Sequence, residues 1–153
     1  MKSIASLAVL LMAKGFKFED NSKKVKQQMS QANEAGMEAA LLLIEAQAKA
    51  LAAVDSGEMR DKIDHRVTNR GNDTVGQVGS PNEQAIYNEF GTGEFAENGA
   101  GRKGGWNYQT PDGKWHHTIG MHPQPFLRPA FRQNKKKIQD IIGKEYGATF
   151  KGK

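Results

Sequence analysis

At 153 residues the chain has the length of one ordinary domain, enough for a single core but not for two. Its hydrophobic share is 37%, with 17 glycines and no cysteine, so the core is modest and loops are many, while disulfides, thiolate nucleophiles and thiolate zinc sites are excluded. The net charge of +5 is concentrated at one end: from Arg128 to Lys153 eight basic side chains face two acidic ones, and the remainder sums to −1. A basic end of this kind reads first as a solvated helix face and second as a contact for an acidic surface or nucleic acid.

The N-terminus combines Lys2 with an apolar run, Ile4–Ala13. It looks like a secretory signal but lacks a small-x-small cleavage site, and it is too short to span a bilayer. Residues 1–20 therefore read as an arm or short helix with no membrane role. A cleaved Met1–Ala13, with a small secreted or periplasmic domain after it, is the alternative.

Residues 21–146 read as one domain. Helix formers fill Ser22–Ala53 behind Ser22 as N-cap. Steps of three and four give a stripe of Met29, Ala32, Gly36, Ala39, Leu43, Ala46, Ala50 and Ala53. Most of these are small, so the seam admits a close neighbour but buries little area. Leu41, Leu42 and Ile44 make the midpoint apolar on more than one face. That pattern fits a core helix, or one that also touches a sister subunit.

Asp55-Ser56-Gly57 ends this helix, and Glu58–Ile63 forms at most a further short turn. Asp64–Asn69 and Thr74–Val78 read as a hairpin with a four-residue loop at Arg70–Asp73. Ser80, Pro81 and Glu83 read as the capping box of a short helix carrying Ala85, Ile86, Tyr87 and Phe90. Gly91–Gly105 holds six glycines and reads as a long, mobile loop. A second hairpin follows around Gln109–Gly113, with Trp106, Tyr108 and Trp115 available for cross-strand contact. A last helix from Ala130 to Tyr146 is expected to bury Phe131, Ile138, Ile141 and Ile142, and 147–153 to form a flexible basic tail. The class is α+β: a long N-terminal helix and a C-terminal helix packed on an antiparallel sheet of hairpins.

Candidate chemistry is sparse. His116 and His117 are adjacent on a strand and point to opposite faces, so with His122 and His65 they make a poor metal cluster. Glu83, Glu89, Glu94 and Glu97 offer no clear acid/base pair, and Ser56 sits in no nucleophile elbow. No cofactor is expected and no enzyme activity. The basic C-terminal helix and the hairpin aromatics lie in different elements, which leaves a non-specific nucleic-acid-binding module as the alternative function.

Three blocks in order carry a resemblance: Val54-Asp55-Ser56-Gly57-Glu58-Met59-Arg60, then Tyr87-Asn88-Glu89-Phe90-Gly91-Thr92, then Pro123-Gln124-Pro125-Phe126-Leu127-Arg128-Pro129-Ala130. With these blocks the chain, from about Val25 to Gly143, resembles the neck or tail-completion proteins of long-tailed bacteriophages. The resemblance implies a virion protein of the head–tail junction, assembled in the host cytoplasm. It implies a homo-oligomeric ring, commonly hexameric, between the head connector or stopper and the tail terminator or tail tube. Packaged DNA would pass through such a ring unread. Leu41, Leu42, Ile44, Tyr87, Glu89, Phe90, Trp106, Trp115, Phe126, Leu127, Arg128 and Phe131 are the expected assembly residues. Glu89 is expected to pair with Arg128, and Glu89→Ala to harm assembly more than folding.

Overall fold

The computed structural model describes residues 19–53 and 57–151. The expected N-terminal arm up to residue 18, any cleavage of Met1–Ala13, and the Val54-Asp55-Ser56 part of the first block lie outside the described residues. Helix α1 spans Ser22–Leu51 and a one-turn helix α2 spans Glu58–Asp61. Strands β1 (Asp64–Arg70) and β2 (Asp73–Gly79) precede helix α3 (Gln84–Phe90). A 3-10 turn at Gly93–Phe95, strands β3 (Trp106–Gln109) and β4 (Trp115–Thr118), and helix α4 (Leu127–Lys151) complete the order. The arrangement is α+β as expected, but the hairpins form two separate two-stranded sheets, not one.

Helix α1 has 30 residues, about 45 Å at 1.5 Å per residue. Its buried face is Ala32, Gly36, Ala40, Leu41, Ile44 and Ala48, continued by Ala52. The expected stripe is right at Ala32 and Gly36 and then slips. The helix continues in steps of four, so Ala46 and Ala50 are exposed where Ala40, Ile44 and Ala48 are buried. Met29, on the expected stripe, is 44% exposed.

Helix α4 answers with its own row of fours: Phe126 just before it, then Ala130 and Asn134 buried, then Ile138 and Ile142 half-buried. Two such rows form ridges that interdigitate. Gly36 marks the closest approach, since a Cβ there would stand 3.2 Å from the Ile142 Cα. Ile138 and Ile142 are half-buried as part of this ridge, and Ile141 is likewise half-buried, but Phe131 is 51% exposed. The helix also runs from Leu127 through Lys151, so it starts earlier than expected and takes in residues 147–151.

Strands β1 and β2 pair from Asp64↔Gly79 to Arg70↔Asp73, which leaves a two-residue turn instead of four. Gly71 has φ +62°, at the first central position where a type II′ turn takes glycine. This hairpin lies on the middle of α1, with Val67 and Val78 packed on the core. Helix starts also differ from expectation. Ser22 does not cap α1; the Asp20 Oδ1 accepts from the Ser22 N–H at 2.9 Å. No capping box forms at Glu83; the Asn82 Oδ1 accepts from the Gln84 N–H at 2.9 Å, while the Ser80 hydroxyl donates to the Met59 carbonyl at 3.3 Å.

Candidate functional site: the motif junction and the exposed aromatics

The second and third sequence blocks meet at one point. Glu89, on the last turn of α3, is 3% exposed. Its Oε2 accepts the N–H of Phe126 at 2.8 Å and of Leu127 at 3.0 Å, and its Oε1 accepts the N–H of Arg128 at 3.0 Å. These amides open α4, whose leading N–H groups have no partners within the helix. Pro129 has no N–H to satisfy, and the Ala130 N–H returns to the Phe126 carbonyl at 3.2 Å. The account of donors at this helix end closes, with one distant carboxylate serving as cap. A negative charge at the positive end of the helix dipole adds to the effect.

Arg128 locks the joint. Its Nε donates to Glu89 Oε1 at 2.8 Å, its NH2 to the Glu89 carbonyl at 2.6 Å, and its NH1 to Glu97 Oε2 at 2.7 Å. Its guanidinium also lies 4.7 Å from the Phe90 ring centre, within cation–π range. Burial alone would raise the Glu89 pKa. The Phe126 amide, the Arg128 guanidinium and the two further amides outweigh it and hold the carboxyl below its ordinary value of 4.5. The expected Glu89–Arg128 pair is present. A buried carboxylate with this many donors is tied into the fold itself, so Glu89→Ala is expected to cost stability as well as any assembly it supports.

The glycines beside Glu89 are required by contact. The Thr92 N–H donates to the Met121 carbonyl and the Glu94 N–H to the Ile119 carbonyl, each at 2.9 Å. Gly93 has φ +60°, and a Cβ there would stand 2.2 Å from the Ile119 carbonyl oxygen. The first part of the glycine-rich stretch is thus laid against residues 119–121. Sequence reasoning missed this, although Ile119-Gly120-Met121, flanked by the second hairpin and the proline block, marks a return of the chain.

The expected assembly residues separate into two groups. Leu41, Ile44 and Phe126 are core, at 4%, 6% and 0% exposure, and Leu127 packs against them half-buried. Leu42, Tyr87, Phe90, Trp115 and Phe131 are 54%, 51%, 47%, 70% and 51% exposed. Trp106 is half-buried. The second hairpin does not gather its aromatics: the register sets Trp106 opposite Thr118, Tyr108 opposite His116 and Trp115 opposite Gln109. Tyr108 stacks on His116 instead, at 5.4 Å.

The histidines are dispersed. His117 Nδ1 lies 2.9 Å from the Asn107 Oδ1, and His122 stacks on Phe95 at 3.7 Å. His65, on β1, sits between two α1 carboxylates, with Nδ1 against Glu45 and Nε2 3.0 Å from Glu38. Glu45, Asp64 and His65 form a grouping of metal-ligand type among the described residues, but both nitrogens of the ring already face carboxylates. Hydrogen bonds to Glu45 and then Glu38 raise the His65 pKa above 6.5, against the opposing effect of burial.

Beyond the end of α1 lies an open groove of about 810 Å³, whose walls include Met59, Tyr87, Trp106 and Met121, with Arg102 at its edge. Arg102 also lies 5.8 Å from the Trp106 ring centre. A second, apolar cleft of about 360 Å³ runs between α1, β2 and α4, beneath Phe131. No described helix is long and apolar enough to cross a membrane.

Neither curated proteins nor solved structures yield a match. A family model described as "Bacteriophage HK97-gp10, putative tail-component" matches residues 16–91. The match takes in α1, the first hairpin and Glu89, and ends where the glycine-rich stretch begins. Over this segment the chain is similar to the HK97-gp10-like phage tail components, consistent with the siphophage neck and tail resemblance read from its motifs.

Proposed function

We propose that this phage tail component is structural rather than catalytic, and closes into a homo-oligomeric ring of six at the head–tail junction. In this reading one face meets the head connector or stopper and the other the tail terminator or tube, and packaged DNA passes through unread. The observation that carries it is the set of large apolar side chains left outside a small core. Trp115 is 70% exposed and Tyr87, Phe90 and Phe131 about half exposed, apolar area that a partner surface would cover. Phe90 lies against Arg128 at the joint, and Phe131 borders the apolar cleft beside α1.

The basic row of α4 favours a lesser role with nucleic acid. Arg132, Lys135, Lys136, Lys137 and Lys144 are all exposed, and such a row attracts phosphate without reading bases. In a ring it would face the passing duplex. Solution mass, measured alone and with the tail tube protein, tests the assembly reading. A closed oligomer that binds the tube end is expected; a monomer indifferent to the tube overturns it. Retention on DNA that vanishes at moderate salt is expected of the lysine row; the same retention by a protein that stays monomeric and ignores the tube would favour the non-specific nucleic-acid module.

A further inference from the structure

The groove beyond α1 has no occupant among the described residues, and the apolar N-terminal segment is the part of this chain suited to fill it. We infer that the groove lined by Met59, Tyr87, Trp106 and Met121 receives residues Leu11–Phe18 of a neighbouring copy. The inference rests on the self-assembly reading above and supplies the contact that would make it.

The argument is one of chemistry and reach. The segment offers Leu11, Met12, Phe16 and Phe18, apolar groups that match methionine and aromatic walls. A groove of about 810 Å³ holds several such side chains, since ligand sites commonly span about 300–1,000 Å³. The segment joins α1 at Ser22, whereas the groove borders Ala53 and Gly57, past the other end of that helix. The helix alone separates them by about 45 Å. Eleven residues lead from Leu11, the first of the segment, to Ser22, and a fully extended chain covers at most about 40 Å over eleven residues. Leu11, Met12, Phe16 and Phe18 therefore fall short of the groove in their own chain.

A second copy removes the limit. Each subunit gives a segment at one end of α1 and receives one at the other, which is a head-to-tail contact. Such contacts close into rings when the rotation allows and otherwise form open chains. The ring and the arm are thus separable claims.

The test uses the full chain, which contains no cysteine of its own. The double variant Leu11→Cys/Tyr87→Cys is oxidised beside the control Leu11→Cys/Trp115→Cys, since Trp115 does not line the groove. Covalent dimers and higher species at least tenfold above the control are expected. Cross-links within one chain, or none above the control, overturn the inference. A second variant, Leu11→Asp, is expected to lower the assembled fraction at least tenfold with an unchanged melting temperature. An undiminished assembled fraction overturns the arm contact and leaves the ring reading standing. Cross-linked open chains without a closed ring sink the ring reading and leave the arm contact in place.

Discussion

The Glu89 joint and the β3–β4 hairpin lie on either side of the same glycine-rich stretch, and they use their polar and aromatic residues in opposite ways. At the joint a carboxylate is drawn inside and given three amides and a guanidinium. In the hairpin nearly every residue faces water, and Trp115 stands 70% exposed. A two-stranded hairpin alone is marginal in water, so this one gains little from its own packing. The contrast shows that a motif residue and an assembly residue are different things here. Glu89 is held by contacts within the fold, whereas Trp115 is held by little and is proposed above as a contact for a partner.

Substitutions sharpen that division. Phe126, fully buried beside the joint, is expected to show the largest effect: Phe126→Ala costs about 3–5 kcal/mol, seen in denaturant melts. Glu89→Ala comes next, at about 3 kcal/mol, because it strands the opening amides of α4 and takes one of the two carboxylates from Arg128. If that variant melts like the parent and only assembly suffers, the assignment of Glu89 to folding is wrong.

The same carboxylate sets a pH signature. Its pKa is depressed in the fold, so its contribution is fully present above its ordinary value of 4.5 and fades as pH drops through the lower, folded value. Glu89→Gln is expected to be less stable at neutral pH and to flatten this acid limb in melts from pH 6 to 2. His65 behaves in the opposite sense. Its pKa is raised above 6.5, so its hold on Glu45 and Glu38 is complete below 6.5 and is lost as pH rises through the folded value. His65→Gln should cost about 1 kcal/mol below pH 6.5 and less at pH 9, loosening the first hairpin from α1.

Trp115→Ala should have the smallest effect on the subunit, within about 0.5 kcal/mol. Its effect on solution mass, or on binding to the tail tube protein, should be the largest of the series. A large loss of stability with assembly intact would reverse the comparison.

Much of this was legible in the residues, and the failures have physical causes. The order of elements followed from periodicity and turn chemistry, and the Glu89–Arg128 pair followed from two motifs read together. The α1 stripe went astray because Gly36 permits a step to Ala39 or to Ala40, and small residues occupy both. Only the opposing ridge of α4 decides between them. Phe131 was assigned to the core on apolarity, yet Ala130 and Asn134 occupy that face, where Asn134 returns its amide to the Ala130 carbonyl at 2.8 Å. The start of α4 was set after Pro129 because its cap lies 37 to 39 residues away in sequence, beyond any local signal.

That distance has a consequence for how the molecule tolerates change. Glu89 and the Phe126–Arg128 amides act as a clasp at the base of everything from Gly91 to Pro125. The entropy of closing such a span grows only with the logarithm of its length. Residues can therefore be added to or trimmed from the outer part of this lobe at small cost, while the clasp and the helix pair stay as they are. The match to the family model also stops at Gly91, at the lobe's root. A span tied down at its root can therefore change length while the body that carries it keeps its packing.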